Sequence, residues 1–336
     1  MPEKGEIKHT TTRRMVLTTQ ATWQDWPHVL SGKQFSRSFL EGELFPLARE
    51  MNNAAETRDS DYLRGKRVRL LFYEASERTL DSFISACDLL GAKYVWLGDP
   101  AVFSSQAKGE SFSDMIRVVN CYEYDAIVIR SREAGEVAMA ASVSRVPIIN
   151  AGDGTGEHPT QAFLDAFSIF RSFGQIDGVR IALVGDLVYS RTIRSLAYML
   201  PQWKVEHVYF VGPPQWRVGE DVRHHLEEAS VPYSEGTDLE EVAPNADVVY
   251  LTRAQTERGN LPLRYRDAAD QKVCITLTEA VLERMPDHAK VMHPLPRNDK
   301  FRELPEEFTD HPKVVIFDQV RNGLLIRMAL LKMLLG

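Results

Sequence analysis

Apolar residues in this chain fall into short continuous runs, separated by stretches in which they recur at helical spacing. The strand-like runs are Arg67–Tyr73, Tyr94–Leu97, Ala126–Arg130, Val146–Asn150, Ile181–Gly185, His207–Val211, Val248–Thr252, Val273–Leu277 and Val291–His293. Helical periodicity is carried by Phe83, Ile84, Cys87 and Leu90 with Gly91 at the C-cap, by Phe112, Met115, Ile116 and Val119, by residues 159–173, and by Thr192 to Leu200. Short apolar strands alternating with helices predict parallel sheets covered on both faces. The expected fold is α/β, with two doubly wound parallel-sheet domains linked by helices. The length of 336 residues agrees, since a single core rarely grows that far and two domains of roughly 150 residues are comfortable. The expected boundaries are a flexible polar arm over 1–20, a first domain over 21–158 and a second over 159–318. Gly174 to Gly178 mark the joint, and an apolar last helix (about 319–336, strongest from Asn322 to Leu335) packs back on the first domain.

In open parallel sheets ligands sit beyond the carboxyl ends of the strands. Six such ends carry arginine, histidine or hydroxyl groups: Ser76–Thr79, Arg130, Gly152–Gln161, Asp186–Arg191, Arg253–Gln255 and His293–Arg297. Ser76 to Thr79 fall at a strand-to-helix turn, where unpaired backbone N–H groups and the helix dipole favour an anion. Two hydroxyls and the Arg78 guanidinium there make a phosphate cradle without a glycine-rich loop. Arg78, Arg130, Arg191, Arg253 and Arg297, with Lys108 in a serine-rich loop, call for substrates bearing several negative charges. No nucleophile elbow, Walker A, dinucleotide fingerprint or HExxH sequence is present. The site therefore reads as one that holds two anionic substrates and stabilises developing charge, without a covalent intermediate. His158, before the helix-starting Pro159, is the candidate for polarising a carbonyl oxygen, with Gln161 one turn along.

Composition narrows the partners. A net charge of -7 provides no basic excess for nucleic acid. Three dispersed cysteines (Cys87, Cys121, Cys274) without CxxC pairing argue against a disulfide framework or zinc site and fit a reducing compartment. No run of about 18 apolar residues exists, so no membrane span is expected. Gln20, Gln24 and Asp25 interrupt any apolar stretch after Arg13-Arg14, so no export signal is expected and the expected location is cytoplasmic.

Three ordered segments then carry a family resemblance. Phe-x-x-x-Ser-x-Arg-Thr at 72–79, His-Pro-x-Gln at 158–161 and His-Pro-Leu-Pro-Arg at 293–297 resemble the signatures of the transcarbamylases, in order, from about residue 30 to the end. His293-Pro294 and Arg253-x-Gln255 resemble the aspartate-accepting branch rather than an ornithine-type site. The resemblance implies a condensation of carbamoyl phosphate with L-aspartate, with no cofactor and no metal. Ser76, Glu77, Arg78 and Thr79 would form the phosphate turn of the first, carbamoyl-phosphate-binding domain. Ser104 and Lys108 would reach into a neighbouring subunit's site, making a homotrimer obligatory. Arg130, His158 and Thr79 would polarise the carbamoyl oxygen. Gln161 and the Leu295 carbonyl would orient its nitrogen, and Arg191, Arg253, Gln255, Pro294 and Leu295 would hold aspartate in the second domain. A regulatory or other pathway protein is a further possible partner.

Two positions depart from the pattern. Glu77 stands where the family usually has threonine. A carboxylate beside a phosphate repels it by about 1 kcal/mol in water-like surroundings and several if desolvated. Either its side chain turns outward and leaves the backbone N–H in use, or carbamoyl-phosphate binding is changed. Val188 replaces a common lysine near Arg191. The competing readings are a transcarbamylase for another acceptor, a catalytically weakened homologue serving as a binding or assembly subunit, and a nucleotide-binding oxidoreductase, against which the missing glycine fingerprint argues.

Overall fold

The computed structural model describes residues 28–58, 60–96, 109–255, 275–298 and 301–336. Among the described residues nine strands form two all-parallel sheets. The first contains β1 (Arg67–Phe72), β2 (Lys93–Trp96), β3 (Ala126–Ser131) and β4 (Ile148–Asp153) in the order β2-β1-β3-β4. The second contains β5 (Arg180–Val184), β6 (His207–Val211), β7 (Tyr233–Gly236), β8 (Val248–Leu251) and β9 (Lys290–Met292) in the order β7-β6-β5-β8-β9. The principal helices are α1 (Phe45–Thr57), α2 (Glu77–Leu89), α3 (Phe112–Asn120), α4 (Glu136–Val143), α5 (Pro159–Phe173), α6 (Arg191–Met199), α7 (Glu220–Glu228), α8 (Leu239–Val242), α9 (Glu279–Arg284) and α10 (Ile316–Leu335).

β3 and β8 lie inside their sheets. β3 is buried at every position and β8 likewise, as strands covered on both faces must be. β7 was not legible as a strand. Its sequence Tyr-Ser-Glu-Gly alternates half-buried with exposed positions at a sheet edge, so no apolar run announces it. The run expected at Val273–Leu277 is corrected in part: residues 275–277 form no strand, and 273–274 lie outside the described residues.

α5 starts on Pro159, whose missing N–H is no loss at a first-turn position, and ends on Gly174 in the left-handed region at φ 77°. Phe163 and Phe167 on α5 belong to one apolar cluster with Val68 and Leu70 of the first sheet, Ile181 and Leu183 of the second, and Ile326 and Leu331 of α10. α10 packs against α1, α2 and α5. Two helices thus tie both sheets into a shared core. Among the described residues no helix is long and apolar enough to cross a membrane.

Candidate functional site

Each sheet has one place where strand order reverses, between β1 and β3 in the first and between β5 and β8 in the second. Loops leave such a switch point in opposite directions and open a crevice beyond the carboxyl ends. A cavity of about 780 Å³ is lined from both. The first sheet supplies Glu74 to Thr79 after β1 and Arg130 from β3; the second supplies Ser190 to Thr192, Thr252, Arg253 and Gln255. His158 and Gln161 line it from the start of α5, His293 to Pro296 from beyond β9, and Gln319, Leu324 and Arg327 from α10.

The anion turn forms at the start of α2. Ser76 is its N-cap residue, yet no side chain caps the helix; the Ser76 hydroxyl donates instead to Thr79 Oγ1 at 3.0 Å. The helix N-terminus is thereby left without a side-chain acceptor, which suits it to an anion. Glu77 is the first helical residue and is exposed. Partial desolvation lowers the pKa of Arg78 below its ordinary value; Glu77 opposes that shift and Arg253 adds to it. Arg253 is half-buried and donates to the Ala254 carbonyl at 3.0 Å.

Arg130 and Arg191 are buried, 6% and 5% exposed, as is Arg327 of α10 at 4%. The pairing of β3 with β4 shifts register between Ile129 and Ser131, and an irregularity of this kind re-aims the side chain within it. Arg130 then donates to the Ala151 carbonyl at 3.0 Å and meets Glu74 at 3.4 Å. Arg191 opens α6, donating to Glu74 at 2.7 and 3.3 Å and to the Gly154 carbonyl at 3.0 Å. One carboxylate therefore serves two guanidinium groups from different sheets. Gly152 makes room for both. At φ +126° its missing Cβ would lie 2.7 Å from Arg130 Nη1 and 3.2 Å from Arg191 Cζ.

The remaining wall hangs on buried polar residues. Asp165 is fully buried and accepts from Gln161 Nε2 at 3.0 Å, Gln319 Nε2 at 2.6 Å and Tyr250 Oη at 2.8 Å. Burial pushes its pKa up to about 7 against these hydrogen bonds. Gln319 Oε1 accepts from the His293 N–H at 2.9 Å, and His293 Nδ1 accepts from the Leu295 N–H at 2.9 Å. Since Nδ1 is an acceptor, Nε2 carries the proton and donates to Glu303 at 3.1 Å. Leu295 stands in the left-handed region at φ 55°, a conformation costing an L-residue about 1 kcal/mol, and its peptide bond to Pro296 is cis. On the far side, Asp186 accepts from the Val188, Tyr189 and Gln255 N–H groups, joining the loops after β5 and β8.

Of the residues singled out from sequence, Ser76, Glu77, Arg78, Thr79, Arg130, His158, Gln161, Arg191, Arg253, Gln255, Pro294 and Leu295 line this one cavity. Ser104 and Lys108 lie outside the described residues. Arg297 does not join the group; it turns to Thr309 Oγ1 at 2.6 Å. Glu74, Asp165 and Glu303 escaped sequence reasoning. Asp165 had left a signal, an acid at the centre of an otherwise apolar stretch of α5. Glu74 and Glu303 had none, because acids near turns are ordinary surface.

A family model described as the aspartate/ornithine carbamoyltransferase carbamoyl-P binding domain matches residues 27–171, and one described as the Asp/Orn binding domain matches residues 177–334. The chain is 44% identical over 308 residues to the chloroplastic aspartate carbamoyltransferase of Arabidopsis thaliana, covering 91% of this chain and 77% of that one. It is 44% identical to the aspartate carbamoyltransferase catalytic subunit of Methanothrix thermoacetophila, covering 92% and 98%. The crystal structure of aspartate transcarbamoylase from Trypanosoma cruzi in complex with carbamoyl phosphate and aspartate is similar at TM-score 0.84 and 35% identity, covering 92% of this chain and 97% of that one. Two matched domain models spanning nearly the whole chain, with relatives alike at this level, place the protein in the aspartate/ornithine carbamoyltransferase family.

Proposed function

We propose that this protein transfers the carbamoyl group of carbamoyl phosphate to the amine of L-aspartate, giving N-carbamoyl-L-aspartate, an early pyrimidine precursor, and phosphate. The observation that carries this reading is the convergence on one cavity of the anion turn with Arg130 and His158, and of Arg191, Arg253 and Gln255 from the other sheet. That is a phosphate-and-carbonyl half facing a dicarboxylate half. The relatives' names and the ligands of the T. cruzi complex support the same pair of substrates.

In this reading Ser76, Arg78, Thr79 and the first-turn N–H groups of α2 hold the phosphate. Arg130, His158 and Thr79 face the carbamoyl oxygen as charge develops on it. Gln161 and the Leu295 carbonyl accept from the carbamoyl nitrogen, while Arg191, Arg253, Gln255 and the Pro294–Leu295 turn bind aspartate. The neutral amine attacks the carbamoyl carbon, a tetrahedral intermediate forms, the carbon–oxygen bond to phosphate breaks, and the departing phosphate takes the amine proton. Residues 21–158 with the last helix form the carbamoyl-phosphate half and 159–318 the acceptor half. Ser104 and Lys108 complete the site of a neighbouring copy, so the working form is a homotrimer. Thiol usage favours a reducing, cytoplasmic setting.

The test is to supply carbamoyl phosphate with aspartate, with ornithine or alone, and to follow phosphate release and ureido product. Turnover with aspartate only is expected; no turnover from trimeric protein would defeat the reading. Shared sites are tested by mixing inactive Lys108→Ala and Arg253→Ala proteins, which should regain part of the activity.

A further inference from the structure

Two separate walls offer the acceptors assigned above to the carbamoyl nitrogen, the Gln161 side chain on α5 and the Leu295 carbonyl beyond β9. Both are suspended from the same buried atom. Asp165 Oδ1 receives Gln161 Nε2 at 3.0 Å and Gln319 Nε2 at 2.6 Å. When ionised Asp165 only accepts, so each glutamine then turns its nitrogen inward and its oxygen away. For Gln161 this presents Oε1 on the side away from Asp165. For Gln319 it presents Oε1 to the His293 N–H, and His293 in turn holds the Leu295 N–H. Tyr250, from β8, occupies the other oxygen at 2.8 Å. Asp165 is fully buried, so it touches no substrate.

We infer that Asp165 is a positioning residue that makes the site selective for an amide-bearing phosphate ester over bare phosphate, by fixing the orientation of Gln161 and the register of the 293–295 turn at once. The inference rests on the carbamoyl-transfer reading. Phosphate itself is held elsewhere, at the Ser76–Thr79 turn on α2, and none of the Asp165 partners belongs to that turn. Loss of Asp165 should therefore weaken recognition of the amide and spare recognition of phosphate. A role confined to general stability would affect both or neither.

The experiment measures dissociation constants of phosphonoacetamide, a stable phosphonate carrying the terminal amide, and of inorganic phosphate by calorimetry. The proteins are wild type, Asp165→Leu and Gln319→Met, each checked for its thermal midpoint. Asp165→Leu keeps the approximate volume and removes the shared acceptor of both glutamines; Gln319→Met cuts only the branch to His293. Wild type should prefer phosphonoacetamide. In both variants that preference should fall about tenfold, the size expected when a buried amide loses a well-placed partner, with phosphate affinity within about twofold of wild type. Parallel weakening of both ligands, or no change in either with the fold retained, would overturn the inference. Should Asp165→Leu fail to fold, Gln319→Met decides alone. Failure of wild type to bind either ligand would overturn the carbamoyl-transfer reading, and this inference with it, and is recognised by the wild-type result.

Discussion

Glu74 and Arg191 form a two-point ion pair between the loop after β1 and the first residue of α6, at 2.7 and 3.3 Å. It joins the switch point of one sheet to that of the other. The same carboxylate lies 3.4 Å from Arg130, so it faces two buried cations at once. Glu74→Gln keeps the shape and removes the charge, leaving two guanidinium groups in low-dielectric surroundings. We expect a stability loss of about 2 kcal/mol, below the usual figure for a fully buried pair because Glu74 retains some water contact. Urea unfolding of the variant measures it; an unchanged midpoint would mean the pair is screened by solvent.

Gly152 tests how closely the two arginines are packed. An alanine there would place Cβ 2.7 Å from Arg130 Nη1, on a backbone at φ +126° that L-residues rarely adopt. The guanidinium groups must move. Misplacement by about 1 Å of groups that stabilise developing charge lowers turnover about a hundredfold, so Gly152→Ala should lower kcat by roughly that factor. Near-normal kcat in steady-state assays would place Arg130 outside the chemistry.

Glu77 is exposed at the first position of α2, where a carboxylate gains about 0.5 kcal/mol from the helix dipole but repels an incoming phosphate by about 1 kcal/mol. Glu77→Thr should lower the KM for carbamoyl phosphate about fivefold and slightly lower the thermal midpoint. Added salt should narrow the KM difference, because exposed charges are screened. A KM that does not respond to the substitution at any ionic strength would leave the acid without a part in substrate binding.

Asp165 also sets a pH dependence. Its carboxyl is raised from 3.8 to about 7 by burial, with Tyr250, Gln319, Gln161 and Arg327 facing it and opposing the shift. Between these values the folded protein keeps a proton that the unfolded chain has lost, so this group's contribution to stability is complete below the lower value and vanishes as pH rises through the upper one. Asp165→Asn lacks that loss. Its stability relative to wild type should therefore grow from about pH 4 to about pH 7. His293, lowered by burial against its Glu303 partner, gives the opposite slope in both proteins and cancels in the difference. A difference that is flat with pH, from denaturation curves, would show that Asp165 is ionised throughout.

The anion turn, the histidine before Pro159 and the arginines at strand ends were legible because each is a local pattern. A strand, a turn and a helix lie within a dozen residues, and backbone N–H groups at a helix start favour an anion in any fold. The alternation of apolar runs likewise announced parallel sheets, since central strands must be apolar on both faces. β7 stayed hidden because an edge strand has no such need, and Arg297 misled because a strand-end position does not say which way a long side chain turns.

The sequence by itself determined the class of fold, the two-sheet plan and the chemistry available at the strand ends, all of which follow from short-range periodicity and helix-terminus electrostatics. Tertiary structure alone decided that Glu74 would bridge Arg130 and Arg191, that Gly152 would yield its Cβ space to both, and that Asp165 would hold Gln161 and, through Gln319, the 293–295 turn. Apart from the Gln161–Asp165 bond, one turn along α5, these depend on residues far apart in the chain meeting in the packed interior. A buried charge or amide must find its partner wherever the packed core happens to bring one.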